Sequence, residues 1–202
     1  NAISMAIKAQ VARGLQIDAA TAKIWELKAQ RIIEQLDTLD ELTIDNIIEA
    51  IETGTKMSGK NAKELNKIKD DITSLLTVIG KAAVESGLIK DIDEVVKLTM
   101  REMNPETMGA FLNNYFPHLF VNMDKLTDED IAKIFGRLKH LSTKNRTIRG
   151  TLKEIKAMMD LPEGHPEKLS THLELLGAKD AINVYVQGMS RTIIGRNAVN
   201  SM

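Results

Sequence analysis

The sequence predicts an all-α protein, a multi-helix bundle of about seven to nine helices. Three observations carry this. Apolar residues recur at steps of three and four along most of the chain. Helix stop and start signals punctuate that pattern, with Gly54, Gly87 and Gly177 at stops and Asn104-Pro105 and Thr127 at starts. Residues that favour strands cluster in only one place, Val184 to Ile194, so no second segment offers itself as a sheet partner.

Taken in order, residues 3–13 form a short apolar helix ending at Gly14. Residues 19–36 form a second, with Trp25, Ala29, Ile32, Ile33 and Leu36 on one face. Thr43 is a good N-cap for a helix to about Thr53, with Leu42 and Ile47 as its hydrophobic staple and Gly54 past its end. The longest helix runs over 62–86. Its residues Leu65, Ile68, Ile72, Leu75, Ile79 and Ala82 have coiled-coil spacing, which calls for partner helices at a shallow angle.

A helix opens at Asp91 and ends near Met103, and another starts at Asn104-Pro105 and breaks at Pro117. Further helices are expected from Thr127 to about Leu141, over 146–160 and over 166–176. The last segment, 182–194, fits a helix or two short strands. Helix is favoured, because a lone hairpin is weak in water. Five of the seven aromatic residues fall between Phe111 and Phe135, which suggests a C-terminal half with its own core. The expected organisation is an N-terminal bundle over 3–103 and a C-terminal subdomain over 104–202, or one continuous domain. Asn1-Ala2 has the look of a cloning scar, so Ile3 is expected to be the first native residue of a fragment of a longer protein.

Composition narrows the function classes. With 202 residues the chain can bury roughly 70% of its unfolded surface and needs no staples. It has no Cys, which excludes disulfides, thiolate zinc sites and thiol catalysis. No apolar run approaches the ~18 residues of a membrane span.

The net charge of −1 hides a strong separation. Glu34, Asp37, Asp40, Glu41, Asp45, Glu49 and Glu52 fall in a stretch without a single base. Lys133, Arg137, Lys139, Lys144, Arg146, Arg149, Lys153 and Lys156 fall in a stretch with one acid, Glu154. Arg146, Arg149, Lys153 and Lys156 step by three, four and three, so they form a cationic ridge beside the apolar stripe Ile148, Leu152, Ile155 and Met159. Such a ridge suits an acidic protein, phosphates or an anionic membrane surface. It suits still better a solvated face, or docking against the chain's own acids, with Asp45, Glu49 and Glu52 (i, i+4, i+7) as the natural partners.

Other signals point away from chemistry. Gly54 to Lys60 has the G-x-x-x-x-G-K spacing of a phosphate-binding loop, but Asn61 follows where a hydroxyl is needed and a helix precedes it where a strand is needed. His118, His140, His165 and His172 have no zinc-helix spacing and read as surface or capping residues. Asp128-Glu129-Asp130 reads as macrodipole compensation at a helix start. The serines have no recognisable base partner.

These features lead to the expectation of a non-catalytic protein–protein interaction module, without cofactor or metal. Its partner-binding residues would be Arg137, Lys139, Lys144, Arg146, Arg149, Lys153, Lys156, Asp45, Glu49 and Glu52. The general character suits a bacterial secreted effector or a phage or scaffold component. The alternative is a nucleic-acid-binding domain using the ridge over 137–156.

Overall fold

A computed structural model describes residues 2–86, 116–122, 125, 127–135 and 151–200. Six helices occur among them, without a strand: α1 (Ala2–Leu36), α2 (Glu41–Thr53), α3 (Ala62–Glu85), α4 (Asp128–Phe135), α5 (Leu152–Asp160) and α6 (Ala178–Asn200). The all-α class is as the periodicity predicts. The expected helix count is not reached among these residues, and the helices expected at Asp91 and Pro105 lie outside them.

The helix α1 is one element of 35 residues, about 52 Å long at 1.5 Å per residue, and it runs straight through Gly14. The predicted break there is a correction. A glycine inside a helix costs only about 1 kcal/mol, too little to stop an otherwise helical segment.

The start of α2 also shifts. Asp40, not Thr43, is the N-cap; its carboxylate accepts the Thr43 N–H at 2.8 Å. The staple positions move with it to Leu39 and Ile44, which both join the core, while Leu42 is left 71% exposed. At the other end Gly54 is left-handed (φ 67°). The Gly54 N–H donates to Ile51 O and the Thr55 N–H to Ala50 O, which is the Schellman arrangement.

In α3, Ile68, Ile72, Leu75 and Ile79 are buried, and Leu65 and Ala82 pack against the core, as their coiled-coil spacing predicts. The segment 182–194 lies wholly within α6, a single helix. Asp37 pairs with Lys179 and Asp18 with Asn197, so α6 runs antiparallel to α1.

The main core is built where α1, α2, α3 and α6 meet. Trp25, Ala29, Ile32 and Leu36 of α1 face Ile47, Ile51, Ile72 and Ile79, together with Ile182, Val186 and Ile193 of α6. Phe116 and Leu152 join the same cluster, so this core draws residues from both sides of Asn104. A second, smaller cluster holds Phe120, Ile155, Leu169 and Leu173.

Two more elements differ from expectation. The helix α5 begins at Leu152 behind Thr151, an extended residue (φ −73°, ψ 154°), so it does not run through from 146. Thr151 and Glu154 form a reciprocal capping box that sets this start. No helix forms over 166–176. Leu169 and Leu173 have helical spacing and are buried, but the chain there is held in turns. Leu176 N–H donates to Leu119 O at 2.7 Å and Val121 N–H to Glu174 O at 2.8 Å, which ties the segment to 119–121 as a short antiparallel contact around Phe120 and Leu175.

Candidate functional site: a charged seam between two helices

Asp45, Glu49 and Glu52 share one face of α2 because i, i+4 and i+7 stack along a helix. Lys153 and Lys156 share a face of α5 for the same reason. The two faces meet in antiparallel order. Lys156 Nζ lies 2.5 Å from Asp45 Oδ2, and Lys153 Nζ lies 3.7 Å from Glu49 Oε1. Glu52 reaches the N-terminus of α5, where Oε2 accepts the Leu152 N–H at 2.9 Å. That N–H has no partner within its own helix, and the anionic carboxylate also complements the positive end of the helix dipole.

The seam grades from wet to dry. The Lys153 side chain is 78% exposed and that of Lys156 is 47% exposed. Glu52 is only 6% exposed, and its second oxygen, Oε1, bonds Nε2 of His118, itself 3% exposed. The His118 ring lies 5.6 Å from the Phe116 ring, which the main core holds. Exposed ion pairs contribute about 0.2–1 kcal/mol each, whereas breaking a buried pair costs about 3–5 kcal/mol. Stability at the seam is therefore concentrated in Glu52, and the lysine pairs are exchangeable.

Of the ten residues expected to bind a partner, the structure brings Lys153, Lys156, Asp45, Glu49 and Glu52 together. Arg137, Lys139, Lys144, Arg146 and Arg149 lie outside the described residues. His118 was expected at the surface or in a cap and is instead buried; its place between Pro117 and the apolar pair Leu119-Phe120 was the only signal in the sequence.

A second acid is buried as well. Asp130 is fully buried at the start of α4. Its Oδ2 accepts from the Thr127 N–H (3.2 Å) and hydroxyl (2.6 Å) and from the Ser170 hydroxyl (2.6 Å), while Oδ1 accepts the Ser170 N–H (2.8 Å). Burial pushes this carboxyl up, but the bonds from Ser170 and Thr127 outweigh it and hold it below its ordinary value. Lys133 and Lys168 complete the clamp on the 161–170 turn, Lys133 through Lys168 O and Lys168 through Met159 O and Leu161 O.

The loop after α2 does not present a phosphate cradle. The Gly54 and Thr55 amides cap α2, and the Met57 amide donates to Asn66 Oδ1 at 2.9 Å. Asn66 Nδ2 returns a bond to Met57 O, so one side chain closes the loop on α3. No group of three or more metal-ligating side chains occurs among the described residues. No described helix is long and apolar enough to cross a membrane.

No family model, curated protein or solved structure matches this chain. The residues and their geometry are the whole basis for a functional reading.

Proposed function

We propose that this chain is a non-catalytic helical module that binds another protein through its separated charges, using the acidic face of α2 and the basic stretch over 137–156. One observation supports this most. The charged side chains that line the seam at the surface are held only by exchangeable pairs, while the buried acids Glu52 and Asp130 have both oxygens engaged in holding the fold. A buried acid spent in this way is not free for proton transfer. A partner with its own acidic and basic residues can replace Lys153–Glu49 and Lys156–Asp45 at a cost of about 1 kcal/mol or less per pair.

The test is charge reversal with a stability control. Arg149→Glu combined with Lys153→Glu is expected to abolish capture of a partner while leaving the melting temperature within a few degrees. Capture is expected to weaken between about 50 and 200 mM salt, since exposed charges are screened over ~8–10 Å. Unaltered capture by the reversed variant overturns the reading. So does binding to duplex or single-stranded nucleic acid with a log–log salt slope of about −3 to −4, which four phosphate contacts would produce.

A further inference from the structure

Away from the seam, α1, α3 and α6 enclose a cleft of about 310 Å³. That is at the low end of the ~300–1,000 Å³ typical of small-molecule sites. Asp18, Thr21 and Trp25 reach it from one face of α1, at i, i+3 and i+7. Ser86 closes it from α3, and Ile193 and Asn197 from α6.

We propose that this cleft binds a small amphipathic cation, a primary ammonium carried on an aromatic or alkyl body. Three features of the cleft select that chemistry. First, Asp18 brings a carboxylate to the cleft, and among the described residues its partner is a neutral amide, Asn197 Nδ2 at 3.2 Å. No Lys or Arg pairs with it among the described residues. Second, the floor is apolar: Trp25 and Ile193 are both core residues with only a few per cent of their surface open. Third, Trp25 lines the cleft, and an indole ring is the strongest cation–π acceptor among side chains. An anion would meet Asp18 unfavourably. A neutral ligand would leave its charge unused. An ammonium with an apolar body satisfies both ends, and Thr21 supplies a hydroxyl beside the carboxylate.

Trp25 is the single tryptophan of the chain, so its fluorescence reports on this cleft without a label. The experiment titrates the full chain with 2-phenylethylammonium, with 2-phenylethanol as the neutral analogue and 3-phenylpropanoate as the anion. The ammonium is expected to change Trp25 emission saturably, and the alcohol to bind at least ~10-fold more weakly, the factor that ~1.4 kcal/mol of ionic and cation–π attraction represents. The anion is expected to leave the emission unchanged. Asp18→Asn is expected to weaken ammonium binding by a similar factor with the far-ultraviolet dichroism unaltered. The absence of any saturable change up to ~10 mM overturns the proposal, since that concentration exceeds the Kd of about 1 mM that 4 kcal/mol provides. Equal binding of all three probes also overturns it. Should Asp18→Asn fail to fold, the comparison of ammonium with alcohol on the unaltered chain decides alone.

Discussion

Glu52 caps the N-terminus of a helix a hundred residues away: its Oε2 accepts the Leu152 N–H at 2.9 Å. The same carboxylate bonds His118, so one buried acid joins α2, the 116–122 segment and α5. Thr151 and Glu154 cap this helix from within its own sequence, and Glu52 caps it from outside.

Glu52→Ala is expected to destabilise the fold by about 3 kcal/mol or more, because it strips a partner from both His118 and the Leu152 N–H in a dry site. Glu52→Gln keeps an acceptor for the Leu152 N–H and is expected to cost about half as much. Urea unfolding measures both. Equal losses would show that the Leu152 bond contributes little.

The exposed half of the seam is expected to behave differently. In a double-mutant cycle, Asp45→Ala and Lys156→Ala should couple by no more than about 1 kcal/mol. The coupling should fall towards zero near 1 M salt, where charges are screened within ~3 Å. A coupling that survives high salt would place this pair among the buried ones.

Asp130 makes stability depend on pH with a definite sign. Its folded pKa is lowered, while an Asp in the unfolded chain titrates near 4. The ionised group therefore stabilises the fold above about pH 4, and that contribution is lost as the pH falls through the lower folded value. Asp130→Asn is expected to cost about 2–3 kcal/mol at pH 7, since it breaks bonds from Ser170 and Thr127. The gap between the variant and the unaltered chain should narrow as the pH falls below about 4. A gap of constant size from neutral to acid pH would assign the loss to packing alone.

Three changes in α6 should stabilise the protein. Ser190 is buried with no hydrogen-bond partner for its hydroxyl, so Ser190→Ala is expected to gain up to about 1 kcal/mol. Gly188 and Gly195 lie inside the helix with open space where a Cβ would stand. Gly188→Ala and Gly195→Ala are each expected to gain about 0.5–1 kcal/mol. Thermal unfolding of the single and triple variants checks this. A lower melting temperature for Ser190→Ala would reveal a partner for the hydroxyl.

Several helices were legible because the deciding residues sit within a turn or two of one another. The apolar repeat of Leu65 to Ala82 specified α3 and its buried face, and Gly54 specified the end of α2. The capping pair Thr151 and Glu154 is equally local, but the apolar and basic stripes around it continue with helical spacing and mask the helix start. The 166–176 segment failed for another reason. Leu169 and Leu173 have the spacing of a helix face, but the backbone groups around them are taken by Asp130, Lys133, Leu119 and Val121. Those partners lie some 35 to 57 residues away, outside the range of any periodicity argument.

By itself, the sequence determined that this chain is helical, where most of its described helices lie and which faces of them are apolar, since backbone hydrogen bonding and side-chain period act over neighbouring residues. It also determined that Asp45, Glu49 and Glu52 share a face, as do Lys153 and Lys156. Only the tertiary structure decided that these faces meet, that Glu52 and Asp130 leave water while Lys153 stays in it, and that Trp25 and Asp18 line one cleft. Burial depends on what packs from elsewhere in the chain. A carboxylate at the surface and one in the core are the same letter until a helix or loop covers one of them.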